Sequence, residues 1–396
     1  MARRFLFKKK GSTIIASSAV AATIFLSIFT GVIFTGVKLG VIDQIADYQV
    51  GHVLISNDKG LISTQETHRI SLVTRTNPMV VGGTSRITTS ADLKFFGMEG
   101  VLEQSRISTF GVDPTLEQKA SRLSSVVSEG AFIQFQNEIV IGSEILTQAK
   151  AKIGSIVEMT VSGLGNDDVT KKFVVVGVSD VGGFSGFSQS AIIHIKTLRE
   201  MMNLGTGESG SYLVRLSDIS NAEEVAEWLK NRLVTSDSDD NTELRIEPIE
   251  VNTKSFATTF DQLIAFINLI GFVGMGAAAL GIIVVLMMMV SGKTRDIGLL
   301  RAIGIKRGGI IVLFMLNGAI IGVIGAITGG VVGSIAIVYL HFYPVAFFGG
   351  IAPVVALDPT KLLQPMILGF TISVLSSIYP AWRASRYRPA EAMRYF

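Results

Sequence analysis

The sequence of 396 residues contains no cysteine and only four histidines. The lack of cysteine excludes a disulfide framework, a cysteine-ligated zinc site and a thiol nucleophile. The histidines, at positions 52, 68, 194 and 341, are scattered and form no HExxH or comparable pair, so we predict no metal site. A serine-centred GxSxG elbow is also missing. With no catalytic constellation in the sequence, we predict that the chain is not an enzyme.

Charged residues are missing from four long stretches of a chain whose mean hydropathy is +0.49. The stretches without Asp, Glu, Lys or Arg are residues 12–37, 263–290, 310–340 and 362–382. Each reaches the length of about 20 residues that a helix needs to cross a bilayer. The alternative is a buried helix of a soluble protein, but such helices rarely run this long without a charge. We predict four transmembrane helices.

The first stretch follows Arg3, Arg4 and the lysines at positions 8–10, which is also how a secretory signal begins. Its 26 residues exceed the apolar core of a signal peptide, which has about 7 to 15. We therefore predict an uncleaved helix.

The remaining charges are unevenly distributed. Residues 38–260 carry 20 basic and 28 acidic side chains, and the rest of the chain carries 15 basic and 4 acidic ones. The basic segments are the N-terminus, the loop 292–309 and the C-terminal tail, which the positive-inside rule assigns to the cytoplasm. We predict a multi-pass protein of the cytoplasmic (inner) membrane with both termini in the cytoplasm. The basic balance reflects this topology, so we predict no nucleic-acid partner.

These observations predict nine segments in chain order. They are a cytoplasmic N-terminus (1–11), transmembrane helix 1 (12–37), an extracytoplasmic domain (38–260), transmembrane helix 2 with a stalk (261–291), a cytoplasmic coupling loop (292–309), transmembrane helix 3 (310–340), an external loop (341–361), transmembrane helix 4 (362–382) and a cytoplasmic tail (383–396).

In the predicted extracytoplasmic domain, the sequence pattern changes to short β-like runs separated by turn residues. These runs are at 52–56, 138–141, 156–161, 173–178, 191–195 and 212–216. Two stretches, 143–152 and 221–233, have helical periodicity. The pattern predicts a large α+β domain with a hydrophobic core of its own.

Glycines recur at small-xxx-small spacing along the third apolar stretch, at positions 318, 322, 325, 329 and 333. Such spacing lets helix backbones approach closely within a membrane. The spacing leaves open whether the neighbouring helix belongs to the same chain or to another.

The loop 292–309 contains a basic segment in which Ile297, Leu300 and Ile303 recur at helical spacing. This pattern predicts a short amphipathic helix at the cytoplasmic surface, although a simple positive-inside anchor would also explain the basic residues. The preceding Gly292-Lys293-Thr294 is similar to the end of a phosphate-binding loop, but it follows a membrane helix and the earlier glycine is replaced by Met287. We predict that the chain binds no cofactor and that any ATP is used by a partner.

Residues 295–304, Arg-Asp-Ile-Gly-Leu-Leu-Arg-Ala-Ile-Gly, resemble the R-x-[DE]-I-G-x-[LM]-R-A-x-G motif of the FtsX-like permease family. The tail from Pro380 to Ala392 resembles the ending P-A-x-x-A-[SA]-x-x-x-P-[AV]-E-A of the same family. The domain at 38–260 is similar to that of MacB-type and lipoprotein-releasing permeases, through Gly111-Val112-Asp113-Pro114 and the stretch 138–161. The order of one helix, a large domain and three helices agrees with this resemblance.

The resemblance implies that the loop helix is a coupling helix that docks on a separate cytoplasmic ABC ATPase. The implied coupling residues are Arg295, Asp296, Gly298, Leu299, Leu300, Arg301, Ile303 and Gly304, and possible ATPase contacts in the tail are Trp382, Arg383, Arg386 and Glu391. For Trp382 and Arg383, an aromatic and basic anchor at the membrane interface is the alternative.

The resemblance further implies a permease subunit of a mechanotransmission ABC transporter, in which ATP hydrolysis by the partner moves the outer domain. The implied partners are the ATPase, a second copy or paralogue of the permease, membrane lipid and an amphiphilic cargo. Such a cargo would be a lipoprotein, a lipid, a peptide or a hydrophobic drug. The alternative is a regulator of the FtsX type that transports nothing and activates an external cell-wall hydrolase or sensor.

Overall fold

A computed structural model describes residues 10–97, 100–163, 167–180, 186–234, 244–343 and 359–387 of the protein. These residues form two units. The helical unit is built from described residues within 10–38, 259–343 and 359–387, and the outer domain from described residues within 39–258. Residues 1–9 of the predicted N-terminus (1–11), residues 388–396 of the predicted tail (383–396), and most of the predicted external loop lie outside the described residues.

The helices of the described residues vary from one turn to nearly 40 residues. In chain order they are α1 (Lys10–Gln44), α2 (Thr64–Arg75), α3 (Pro114–Ala120), α4 (Ser143–Ala149), α5 (Ile195–Met201), α6 (Ala222–Leu233), α7 (Ile249–Asn252), α8 (Lys254–Gly292), α9 (Thr294–Ala302), α10 (Arg307–Phe342) and α11 (Pro359–Ser385).

Four of these helices, α1, α8, α10 and α11, are long and apolar enough to cross a membrane. The 39 residues of α8 correspond to about 58 Å at about 1.5 Å per residue, against a hydrocarbon core of about 30 Å. This helix must therefore extend beyond the core or tilt within it. At one end of the unit, Lys38 Nζ of α1 lies 2.7 Å from Asp261 Oδ1 of α8.

The glycines of α10 that recur at small-xxx-small spacing form one stripe along the helix, because they follow each other at steps of three or four residues. The first part of the stripe, Gly318 and Gly322, packs on α11, where a Cβ on Gly322 would lie 2.8 Å from the Cβ of Ser373. Ser377 fills the corresponding space beside Gly318. The absence of side chains at these two positions lets α10 and α11 pack closely along their length.

The second part of the stripe, Gly325, Gly329 and Gly333, packs on α1. A Cβ on Gly325 would lie 2.7 Å from Val20 Cγ1, and a Cβ on Gly329 would lie 2.6 Å from the carbonyl oxygen of Ala21. Both parts of the stripe thus meet helices of the same chain.

The outer domain contains ten strands in one sheet. The strands are β1 (Val53–Asn57), β2 (Val80–Gly97), β3 (Gly100–Val112), β4 (Val127–Gly130), β5 (Glu138–Gly142), β6 (Ile156–Ser162), β7 (Asp168–Ser179), β8 (Ser190–His194), β9 (Ser211–Leu216) and β10 (Leu244–Pro248). Their order is β10-β1-β9-β2-β3-β8-β5-β7-β4, and β6 pairs with β2 and β7. The β3–β8 and β5–β7 pairs are parallel, and the other pairs are antiparallel.

Helices cover this sheet and complete separate hydrophobic cores. Leu229 of α6 and Ile70 of α2 pack with strands β1, β9 and β10 in one core. Ile145 of α4 and Leu198 of α5 pack with strands β5 to β8 in another. The predicted strands and both predicted helices are present within one to five residues of their expected ends, together with the long β2–β3 hairpin, which the sequence pattern did not predict.

Candidate functional site

The predicted coupling loop is largely helical and has short connections. A single residue, Lys293, separates the end of α8 from the start of α9. The hydroxyl of Thr294 donates to the carbonyl of Ser291 at 2.6 Å, and Lys293 Nζ lies 3.5 Å from Asp296 Oδ2. These contacts tie the first turn of α9 to the last turn of α8, so the two helices are joined without a flexible linker.

The C-terminal end of α9 is closed by a Schellman turn. The amide of Gly304 donates to the carbonyl of Arg301, and the amide of Ile305 donates to the carbonyl of Leu300, each at 3.1 Å. Gly304 has φ +99°, a left-handed conformation that glycine adopts without steric cost. The final glycine of the motif therefore ends α9 and directs the chain into α10, which begins three residues later.

One face of α9 is buried against the ends of the long helices. Ile297 is fully buried in a cluster with Val290 of α8, Phe314 of α10, and Ala381 and Ala384 of α11. The cluster therefore packs α9 against all three of these helices.

The loop motif and the tail motif meet at Arg301. Its Nη1 donates to the carbonyl of Tyr387 at 2.6 Å and to the carbonyl of Ser385 at 3.3 Å. Carbonyl groups at the end of a helix have no intrahelical partner, and a guanidinium satisfies them well. Arg301, one of the predicted coupling residues, thus connects α9 to the end of α11 within this chain.

The opposite face of α9 is exposed. Leu299 is 56% exposed and Ile303 is 74% exposed, and Arg295 and Asp296 are exposed beside them. Leu300 is half-buried, and Gly298 lies on the buried face. An apolar patch rimmed by charged residues is the form that protein interfaces commonly take.

The end of α11 adds an aromatic and basic surface. Trp382 is 45% exposed, and the guanidinium of Arg386 lies over its ring at 3.9 Å from the centroid. Arg383 is exposed next to them, whereas Glu391 lies outside the described residues. The described residues among those predicted in the loop and the tail thus belong to the same end of the helical unit.

A second connection, which the sequence did not predict, lies within the outer domain. The chain leaves α1 through a π-helical turn, Ile45–Val50, which we call the anchor segment. Arg86 Nη1 in β2 donates to the carbonyls of Tyr48 and Gln49 at 2.7 and 2.8 Å, and its Nη2 forms an ion pair with Glu117. Both side chains of this pair are buried, at 2% and 0% exposure. π-Helical turns are rare and often occur at functional sites.

Asp47 fixes the same segment from its other side. Its carboxylate lies 3.3 Å from Arg122 and 3.6 Å from Arg215, and its carbonyl accepts from the amide of Arg122 at 3.0 Å. Three arginines from separate parts of the outer domain therefore hold one short segment of the chain.

Two histidines of the outer domain act as hydrogen-bond acceptors. The Nδ1 of His52 accepts from the amide of Leu216, and the Nδ1 of His194 accepts from the amide of Lys196, each at 3.2 Å. Burial lowers the pKa of both imidazoles, and Arg215 lowers the pKa of His52 further. Both bonds require a neutral ring, because a protonated Nδ1 is a donor.

Among the described residues, no group of three His, Cys, Asp or Glu side chains could hold a metal ion. The Gly292-Lys293-Thr294 tripeptide lies between two helices, whereas a phosphate-binding loop follows a strand.

Two family models match the chain. The model for the C-terminal part of FtsX-like permeases matches residues 268–389, and the model for the MacB-like periplasmic core domain matches residues 13–232, more than half of the sequence. The chain belongs to the FtsX-like permeases with a MacB-like periplasmic core domain. It is an ABC transporter permease of the LolC/MacB type.

The relatives of this FtsX-like permease include full-length matches. The lipoprotein-releasing system transmembrane protein LolC of Xylella fastidiosa is 26% identical and covers 99% of this chain and 97% of its own length. LolC of Neisseria meningitidis is 25% identical and covers 72% of each chain. The macrolide export ATP-binding/permease protein MacB of Bdellovibrio bacteriovorus is 27% identical over 72% of this chain, which corresponds to 43% of that protein.

Proposed function

We propose that this chain is the permease subunit of an ATP-driven mechanotransmission ABC transporter. A separate cytoplasmic ABC ATPase would dock on α9 and on the end of α11, and its cycle of ATP binding and hydrolysis would move the outer domain. The movement would export or release an amphiphilic cargo. The observation that carries the proposal is the meeting of the loop and tail motifs at Arg301, beside an exposed apolar patch.

The proposed orientation places both termini and α9 in the cytoplasm. Its support is the basic residues of the loop 292–309, which carries five Lys and Arg residues against one Asp. A cytoplasmic ATPase could then reach Leu299 of α9 and Ile303, the residue that directly follows α9.

The proposed force transfer uses the short connections of α9. A push on α9 would reach α8 through Lys293 and α10 through the turn at Gly304, because neither connection contains a flexible linker. The anchor segment would receive the movement of α1, since Arg86 and Asp47 fix it within the outer domain.

The proposed cargo is amphiphilic, because the relatives are named for lipoprotein release and for macrolide export. Lipoproteins, lipids, peptides and hydrophobic drugs share an apolar part and a polar part. The proposed assembly contains a second permease, either another copy of this chain or a paralogue. The same names favour transport over regulation of an external hydrolase.

The test is co-purification of the full-length chain with the ABC ATPase of its own genome. Leu299→Asp and Ile303→Asp place a charge in the proposed apolar contact, so we expect each to reduce the recovered ATPase and its stimulated turnover by at least about tenfold. The matched control is Leu72→Asp, which makes the same change on α2 of the outer domain, where Leu72 is 52% exposed.

We expect the Leu72→Asp control to retain both the bound ATPase and its stimulated turnover. If Leu299→Asp and Ile303→Asp insert normally and recover the ATPase at the level of the control, α9 is not the docking element.

A further inference from the structure

A cleft of about 160 Å³ opens between α1, α8 and α11 in the helical unit. Each helix contributes one face to it. The residues recur at helical spacing, namely Ser27 and Thr35 on α1, Asn268 and Met275 on α8, and Lys361 and Leu368 on α11.

The lining of the cleft combines polar and apolar side chains. On α11, Lys361 and Gln364 lie within the first two turns of the helix, and Leu368 lies about 10 Å beyond Lys361 at about 1.5 Å per residue. On α8, Asn268 lies one turn after Ile264 and about 10 Å before Met275. The amide and ammonium groups of the cleft therefore come from α8 and α11.

The polar residues of the cleft are unusual for a helix surface in a membrane. Asn268, Gln364 and Lys361 are exposed in this chain, although Asn268 and Gln364 fall within stretches that otherwise match the hydrocarbon core. An amide facing hydrocarbon without a partner costs free energy, so such residues in a membrane commonly mark a binding site.

The charged residues that line the cleft indicate which charge its ligand carries. Of the described residues that line it, Lys361 is the only charged one, and none is acidic. Asp261 lies one turn beyond the lining residue Ile264 and is paired with Lys38. The lining thus offers one cation, two amides and two hydroxyls beside apolar side chains.

We propose that this cleft binds the headgroup of a glycerophospholipid. Lys361 contacts the phosphate, and the amides of Asn268 and Gln364 donate to phosphate or ester oxygens. The acyl chains extend beyond the cleft along the lipid-facing sides of the helices, since its volume is too small to enclose them. The site requires the membrane insertion proposed above and is independent of ATPase docking.

Native mass spectrometry of the purified full-length chain, without ATPase, tests the site with three probes. The probes are a phosphatidylglycerol, a diacylglycerol with the same chains, and inorganic phosphate. We expect the chain to retain one phosphatidylglycerol in preference to diacylglycerol. Lys361→Gln should weaken this binding by about tenfold, because a charged hydrogen bond is lost.

Two further variants serve as controls. Lys361→Arg keeps the cation and should retain the lipid. Lys306→Gln removes a lysine that precedes α10 at the other end of the helical unit, and it should bind like the wild type. Melting temperatures of all variants verify folding.

Equal retention of diacylglycerol and phosphatidylglycerol would overturn the proposal, as would unchanged binding by Lys361→Gln. Displacement of the lipid by millimolar inorganic phosphate would identify a free-anion site instead. Loss of binding in both Lys361→Gln and Lys306→Gln would show only a general charge effect and would also refute it. ATPase recovery with Lys361→Gln is measured in parallel, so a failed lipid site and a failed docking site give different results.

Discussion

The buried pair of Arg86 and Glu117 leads to a quantitative prediction about the outer domain. Arg86→Met leaves the Glu117 carboxylate without its cation in the interior, which costs about 3–5 kcal/mol. The same change removes the donor for the carbonyls of Tyr48 and Gln49. We therefore expect Arg86→Met to lower the free energy of unfolding of the outer domain by about 4 kcal/mol.

The double variant Arg86→Met/Glu117→Met separates the ion pair from the carbonyl contacts. Arg86 Nε and Glu117 Oε2 have no hydrogen-bond partner, so the pair is only partly satisfied. With both charges gone, the carbonyls of Tyr48 and Gln49 lose their donor and the Ser121 hydroxyl loses its acceptor, so we expect a cost of about 2–3 kcal/mol. The single variants should therefore sum to more than the double variant.

The chain has two tryptophans, Trp228 in α6 and Trp382 in α11, which gives a specific assay. In a Trp382→Phe background, Trp228 fluorescence reports unfolding of the outer domain alone during a urea titration of the full-length chain. With a slope of about 3 kcal/mol per molar urea, a loss of about 4 kcal/mol lowers the midpoint by about 1.3 M.

Arg245→Met is the matched control for this titration. Arg245 also forms ion pairs, with Asp58 and Glu247, but it lies on the surface of the same sheet. Exposed ion pairs contribute little to stability, so its midpoint should not move. Equal midpoints for Arg86→Met and Arg245→Met, or strictly additive single variants, would refute the reasoning about the buried pair.

The packing of α10 and the two histidines give further predictions. Gly329→Ala should lower the melting temperature of the full-length chain, because its Cβ would lie 2.6 Å from the carbonyl oxygen of Ala21. The control Gly276→Ala, whose Cβ would have no neighbour within 4 Å, should leave the melting temperature unchanged. Equal melting temperatures for the two variants would contradict the close packing. Because the pKa values of His52 and His194 are lowered in the folded state, the unfolded state binds more protons below about pH 6.5. The outer domain should therefore be fully stable above that pH and lose stability as the pH falls towards the lowered pKa values. The urea midpoint measured from pH 8 to 5.5 checks this, and His52→Gln should reduce the slope; a midpoint that rises on acidification would have the wrong sign.

Local sequence patterns predicted much of the fold. The four long helices follow from stretches without charge, and most strands follow from alternating β-branched residues. The start of helix α2 could also be predicted from the sequence, because Ser63 and Glu66 have the spacing of the capping box that they form in the structure. Asp113, noted only as part of a resemblance, caps α3 by accepting from the amides of Thr115 and Leu116.

Contacts between distant parts of the chain could not be predicted in the same way. The β2–β3 hairpin was missed because two glycines, at positions 82 and 83, and the polar residues 84–86 and 88–90 interrupt the strand pattern of β2. The apolar residues Ile87, Ala91, Leu93 and Phe95 are nevertheless buried in it. The bond from Arg301 to Tyr387 joins residues 86 positions apart, and no local periodicity contains it. The contacts of Arg86 with Tyr48, Gln49 and Glu117 likewise join residues that are distant in the sequence, so no local pattern predicts them.

The glycine stripe of α10 also constrains how this protein can vary in length. In an α-helix, each inserted residue rotates everything that follows by about 100°. One extra residue between Gly322 and Gly325 would leave the earlier pair against α11 and turn the later glycines away from α1, replacing them there with bulky side chains. Related sequences should therefore tolerate insertions beyond either end of this helix but not within the three-residue interval between its two groups of glycines.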